Sequence, residues 1–117
     1  MAFQVKAGVN LEGVKLRLLD DVRTIVTECY SMLDRDCVVT SGNDGTHSGR
    51  PVVGTLKDPH YEGLAIDIRT KNVPIAARES LWIDIKAALG PEYVVLWENP
   101  GKDNEHFHVQ LGHIEGR

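Results

Sequence analysis

Residues 64–69 read LAIDIR and residues 106–111 read HFHVQL, and these two stretches carry the strongest signal for the architecture. In each, apolar side chains alternate with polar or small ones. Because successive side chains of a β-strand point to opposite faces, this alternation predicts two strands that each have one apolar face. Asp67 and His108 each fall on the face of their strand that is opposite to the apolar face. We therefore expect a sheet with one face packed against helices and one face that carries chemically active side chains.

Two amphipathic helices are predicted to pack against the apolar face. Residues 11–34 place apolar side chains at three- and four-residue spacing, with Asn10 as the expected N-cap. Residues 74–89 form the second helix, with Pro74 in its first turn and Gly90 at its end. The apolar stripe of this second helix consists of Ile75, Leu81, Ile85 and Leu89.

The remaining segments read as two more strands and two connections. Residues 37–40 and 93–97 are rich in β-branched and aromatic side chains, which favours strands. Residues 41–59 are rich in glycine and proline and form a long irregular segment, and a loop of this length is usually functional. Residues 99–104 have the composition of a turn.

The composition is typical of one globular domain, spanning residues 1–117. A net charge of −4 argues against a nucleic-acid partner, because phosphate-backbone binding usually needs a basic surface. No apolar run approaches the roughly 18 residues of a membrane span, and the first residues lack the apolar stretch of a signal peptide. We expect a monomer that is made in the cytoplasm. Residues 114–117, IEGR, match a common engineered protease site and are given no functional weight.

His60, Asp67 and His108 form a ligand set that suits Zn²⁺. Two imidazoles and one carboxylate leave a fourth position open for water. Glu105, three residues before His108, is the kind of non-ligand carboxylate that metal-activated hydrolysis needs as a general base. Each residue alone would be an ordinary polar residue. Their conjunction on strands of matching polarity favours a small zinc peptidase.

A motif supports the same interpretation. H-x-x-G-x-A-x-D at residues 60–67, followed by E-x-x-H at residues 105–108, resembles the signature of the zinc D-Ala-D-Ala carboxypeptidase family of peptidases. That family includes D-alanyl-D-alanine carboxypeptidases and dipeptidases and phage L-alanyl-D-glutamate endopeptidases. The resemblance covers about residues 38–111 and is closest to short phage and prophage members. It implies an α+β fold like that of Hedgehog domains, with a small antiparallel sheet and helices packed on one face.

The resemblance also implies residue roles. His60, Asp67 and His108 would hold the zinc, and Glu105 would be the base that activates the zinc-bound water. The implied substrate is a peptidoglycan stem peptide that contains D-amino acids, which a phage-type lysis would make accessible. His106 is the alternative to Glu105, either as a hydrogen-bond donor or as an acid that stabilises the oxyanion.

The chain departs from the family pattern at two places. Asp58 stands where the family has serine two residues before the first histidine. The S-G-x-R box reads SGND at residues 41–44, without the arginine expected to stabilise the oxyanion. Arg50 and His47 in the following loop are the candidates to replace it. The missing arginine keeps a second interpretation open, in which a non-catalytic zinc module binds cell wall or a partner protein.

Glu105 carries a geometrical requirement. In a regular strand it would share a face with Phe107 and not with His108, so its role as base requires it to precede the strand or to lie at a bulge.

A nuclease that nicks single strands is a third interpretation, because His106-Phe107-His108 fits a His-hydrophobic-His metal motif. Such an enzyme needs a tyrosine nucleophile and a basic groove. Tyrosines are present at Tyr30, Tyr61 and Tyr93, but the acidic balance weighs against the groove.

Overall fold

A computed structural model describes residues 2–42 and 64–112, which form a five-stranded sheet and a helical layer. The strands are β1 (Phe3–Val5), β2 (Cys37–Ser41), β3 (Ala65–Arg69), β4 (Tyr93–Glu98) and β5 (His106–Leu111). The helical segments are α1 (Leu16–Asp21), a π-helical segment (Val22–Val26), α2 (Thr27–Ser31) and α3 (Ile75–Leu89). The predicted α+β class is confirmed, and the four predicted strands agree with β2 to β5 to within one residue at each end.

The sheet has the strand order β1-β2-β3-β5-β4 and is mixed. Strands β2, β3, β5 and β4 pair antiparallel, whereas β1 pairs parallel with β2. The expectation of a purely antiparallel sheet was therefore wrong at this edge. Strand β1 has only three residues, which is too short for an alternation to be recognised in the sequence.

One hydrophobic core lies between the sheet and the helices, as the alternation predicted. In β3 and β5, Ile66 pairs with Val109 and Ile68 pairs with Phe107, and all four side chains are completely buried. All four helical segments contribute to the same core, so the helices pack on one face of the sheet. Burying an aliphatic or aromatic side chain of this size stabilises the fold by about 1.5–3 kcal/mol. The opposite face carries Asp67 and His108.

The first helix begins later than predicted. Gly13 adopts a φ of +85°, which an L side chain rarely adopts, and α1 begins only at Leu16. The side-chain oxygen of Asn10 accepts a hydrogen bond from the amide of Glu12 at 2.9 Å, which stabilises a turn. The prediction that Asn10 caps the helix was therefore wrong. The residue at the cap position, Lys15, makes no side-chain capping bond.

Helix α3 matches its prediction except at its first residue. Pro74 occupies the N-cap position, and Gly90, with a φ of +86°, ends the helix. Leu81 and Ile85 are buried, but the side chain of Ile75 is 79% exposed. At 100° per residue, Ile75 lies about 120° around the helix from Leu81, which places it off the buried stripe. No helix within the described ranges is long and apolar enough to cross a membrane.

Candidate metal and proton-transfer site

Asp67 and His108 lie side by side on the face of the sheet that the helices leave free. Strand β3 presents Asp67 and strand β5 presents His108, and the two residues are direct partners in the antiparallel register. Oδ1 of Asp67 lies 3.3 Å from Nδ1 of His108. Both side chains are largely buried, with 14% and 9% of their surface exposed. The sheet thus holds a carboxylate and an imidazole together where water access is limited.

Each ring nitrogen of His108 faces a hydrogen-bond partner, and the tautomer of the ring decides which nitrogen donates. In the tautomer that carries its proton on Nε2, this nitrogen donates to the side-chain oxygen of Gln110, which lies 3.0 Å away. In a neutral imidazole, Nδ1 then turns its lone pair toward Oδ1 of Asp67, which is also an acceptor. Two acceptors at this distance are stabilised by a positive centre between them, either a proton or a metal ion.

The separation of these two atoms also fits zinc. Ligand atoms about 2.0–2.1 Å from a tetrahedral zinc lie about 3.3–3.4 Å apart. Nδ1 of His108 and Oδ1 of Asp67 are 3.3 Å apart. Gln110 occupies the position of the outer hydrogen-bond partner that commonly fixes the tautomer of a metal-binding histidine. The two atoms are therefore close enough for one zinc ion to bind both.

The third predicted ligand, His60, lies outside the described residues. The candidates for oxyanion stabilisation, His47 and Arg50, also lie outside them. Within residues 2–42 and 64–112, no group of three or more histidine, cysteine, aspartate or glutamate side chains is placed so that it could hold a metal ion. The described part therefore supplies two of the three predicted ligands.

His106 and Glu98 form a second pair on the same face. Nε2 of His106 lies 2.7 Å from Oε1 of Glu98, its cross-strand partner, and 3.7 Å from Oδ1 of Asp67. Nδ1 of His106 lies 2.7 Å from the carbonyl oxygen of Asn104, so acceptors face both ring nitrogens. Burial opposes a charged imidazole, but the hydrogen bond to Glu98 and the charge of Asp67 outweigh it and raise the pKa of His106 to about 9. The hydrogen bond from His106 in turn lowers the pKa of Glu98.

Glu105 lies immediately before β5, and its carboxylate points to the helix-packed side. Oε1 accepts a hydrogen bond from Nη1 of Arg78 in α3 at 2.7 Å, and Oε2 accepts one from the indole of Trp97 at 2.7 Å. The amide of Gly101 lies 3.3 Å from Oε1. Burial would raise the pKa of Glu105, but the bonds from Trp97 and Gly101 and the charge of Arg78 outweigh it and lower that pKa.

The predicted role of Glu105 therefore meets only part of its geometrical requirement. The residue does precede the strand, as that role demands, and the register of β5 with β4 is regular from residue 106 to residue 111. Its carboxylate, however, binds Arg78 and Trp97 on the face opposite to His108. The role of Glu105 as base stays a prediction.

Sequence reasoning missed Glu98 and did not assign a role to Gln110. Alternation could have indicated Gln110, because it follows His108 by two residues and so shares its face. Glu98 was not recognisable in this way, because the register of β4 with β5 places it opposite His106. The pairing of Arg78 with Glu105 had no such signal, because it joins a helix to a turn 27 residues away.

Two of the three tyrosines available to the nuclease interpretation are engaged elsewhere. The hydroxyl of Tyr30, a completely buried residue, donates to the carbonyl of Arg69 at 2.6 Å. The hydroxyl of Tyr93 bonds to the carboxylate of Asp21 at 2.5 Å. Tyr61 lies outside the described residues. Neither described tyrosine is placed beside His106 and His108.

No protein-family model matches the chain, and neither a curated protein nor a solved structure matches it.

Proposed function

We propose that the protein is a zinc-dependent peptidase that hydrolyses D-amino-acid-containing stem peptides of peptidoglycan. The observation that carries this proposal is the in-register pair of Asp67 and His108, with ligand atoms 3.3 Å apart. The motif resemblance supplies His60 as the third ligand and the class of substrate. The antiparallel order of β2, β3, β5 and β4, with helices on one face, supports the proposed Hedgehog-like form of the fold.

Zinc held by His60, Asp67 and His108 would supply Lewis-acid activation of a water molecule and of the scissile carbonyl. The residues of the chain contribute orientation and protons. Gln110 would accept a hydrogen bond from Nε2 of a zinc-bound His108 and so hold Nδ1 toward the metal position. Asp67 balances the positive charge of the site. Limited exposure of both ligands lowers the local dielectric and strengthens these interactions.

We propose in addition that Glu98 and His106 carry out proton transfer in this site. They lie on the face that carries Asp67, and they are joined through Nε2 of His106. His106 holds a proton there at neutral pH, which it can donate to a leaving amine or use to stabilise negative charge on the substrate. Glu105, in contrast, is bound by Arg78 and Trp97, an arrangement that stabilises the turn before β5.

The test is cleavage of purified muropeptides by the zinc-loaded protein, followed by liquid chromatography and mass spectrometry. We expect Glu98→Gln to lower the rate by about two orders of magnitude or more. Glu79→Gln, at an exposed position of α3, is the matched control and should retain full rate.

Glu105→Gln separates the two base assignments. A fully folded Glu105→Gln protein that retains activity supports Glu98 and His106, whereas loss of turnover without loss of stability would assign the base to Glu105. If the zinc-loaded wild type cleaves no muropeptide, the enzyme proposal fails and the non-catalytic zinc module is left.

A further inference from the structure

A pocket of about 370 Å³ opens beside the proposed zinc site, and three of its eight lining residues are lysine or arginine. Lys6 follows β1, Arg69 ends β3 and Lys71 lies in the turn after it, so three separate positions of the fold bring positive charge to one pocket. The chain as a whole carries a net charge of −4. A local concentration of three cations on an acidic protein indicates a site for a negatively charged group.

The acidic side chains around the pocket do not cancel this charge. The side chain of Glu105 is 1% exposed and bound by Arg78. Asp103 lies 3.9 Å from Lys71, but its side chain is fully exposed, and an ion pair of this kind is weak and screened by salt. His106 also lines the pocket, but its paired carboxylate Glu98 offsets its charge.

Arg69 has the features of a ligand-binding guanidinium. Its backbone is fixed, because its carbonyl accepts the hydrogen bond from Tyr30, and its side chain is half-buried on the face that carries Asp67. Within the two described ranges, its guanidinium forms neither a hydrogen bond nor an ion pair. A guanidinium presents its donors in a planar fork that matches the two oxygens of a carboxylate. The hydroxyl of Thr40 lines the same pocket.

Strand geometry relates this pocket to the zinc site. Asp67 and Arg69 are two residues apart on one strand, so their side chains leave the same face about 6.6 Å apart. This spacing is close to the length of about two residues of an extended peptide. We propose that Lys6, Arg69 and Lys71 form a subsite that binds a carboxylate of a peptide lying across the polar face. The role of this subsite in substrate recognition rests on the proposed peptidase function, but binding of the carboxylate does not require zinc.

The experiment measures binding without hydrolysis. The protein is stripped of metal, the chelator is removed by dialysis, and affinities are measured by NMR titration of backbone amides and the Arg69 side chain. The first probe pair is acetyl-D-Ala-D-Ala as free acid and as amide. The second pair is acetyl-Ala-Glu amide and acetyl-Ala-Gln amide, which tests a side-chain carboxylate. We expect at least one acidic probe to bind about tenfold more tightly than its neutral partner.

Two variants and one control locate the binding. Arg69→Gln should abolish the preference for the acidic probe, and Lys71→Gln, at an exposed position, should weaken it. Arg23→Gln makes the same charge change at an exposed position of the helical layer and should leave the preference unchanged.

The pair that shows the preference identifies the source of the carboxylate. Equal binding of acids and amides, or a preference that survives both Arg69→Gln and Lys71→Gln, would overturn the subsite. If muropeptide cleavage is absent while this preference is present, the peptidase proposal fails and the subsite stands.

Discussion

Replacement of Arg78 by methionine should destabilise the protein by about 3–5 kcal/mol, because it leaves the carboxylate of Glu105 buried without its cation. The side chain of Glu105 is 1% exposed and that of Arg78 is 11% exposed, so water cannot replace the lost partner. Methionine preserves the aliphatic part of the side chain, which limits the loss of packing. The remaining bonds from Trp97 and Gly101 cannot balance a full negative charge.

Urea unfolding followed by circular dichroism measures this effect in a double-mutant cycle. The variants are Arg78→Met, Glu105→Gln and the double replacement, with Arg23→Gln as a control for the loss of an exposed arginine. A neutral glutamine needs no cation, so the free energy of unfolding of the double variant should exceed the value predicted from the sum of the single effects by at least about 2 kcal/mol. Additive effects, or a cost of less than about 1 kcal/mol for Arg78→Met, would refute the reasoning.

The pairing of Arg78 with Glu105 also predicts how the free energy of unfolding depends on pH. The pKa of Glu105 is lowered in the folded protein, so its stabilising contribution is complete above the unfolded pKa of about 4.3. That contribution is lost as the pH falls through the lowered folded value. Glu105→Gln should therefore flatten the decline of unfolding free energy in acid, as measured by urea unfolding at several pH values, whereas Glu79→Gln should leave it unchanged.

Three further predictions concern other parts of the molecule. Burial raises the pKa of the Cys37 thiol to about 12, so Cys37 should resist alkylation in the native protein and react on unfolding. Half-buried Cys29 should react sooner. Mass spectrometry of alkylated peptides measures both, and rapid native labelling of Cys37 would contradict its burial. Gly42→Ala should lower the free energy of unfolding, measured in urea, by about 1–3 kcal/mol, because a Cβ would lie 2.8 Å from the carbonyl oxygen of Asn10. An unchanged unfolding midpoint would disprove that contact. In metal-free protein, Glu98→Gln should lower the raised pKa of His106 in an NMR titration, and an unchanged pKa would show that Glu98 is not its partner. The stabilisation from the charged His106 is complete below about pH 6.5 and disappears as the pH rises through about 9.

Local periodicity predicted most of the fold. The alternation in residues 64–69 and 106–111 identified both central strands and the face that carries Asp67 and His108. Features that depend on a very short segment or on the conformation of one residue could not be predicted from periodicity. Strand β1 is too short to show a period, and the start of α1 depends on the positive φ of Gly13, which a helical pattern does not reveal.

The site was predictable where it depends on alternation along a strand and not where it depends on pairing in space. Spacing brought Asp67 and His108 to matching faces, but the partner of His106 depends on the register between β4 and β5. In the same way, sequence spacing places Glu105 near His108, whereas the contacts of Arg78 and Trp97 direct its carboxylate to the other side of the sheet. Contacts between distant segments therefore determine which of the two glutamates faces the proposed zinc.

The most direct test of the account is the zinc content of the protein, measured by elemental analysis after purification without a metal-affinity tag. We expect about one zinc per chain in the wild type and in Asp84→Asn, an exposed control on α3. Zinc should be strongly reduced in His60→Ala, Asp67→Asn and His108→Ala. Absence of zinc from the wild type after incubation with the metal, or unchanged zinc in Asp67→Asn and His108→Ala, would contradict it.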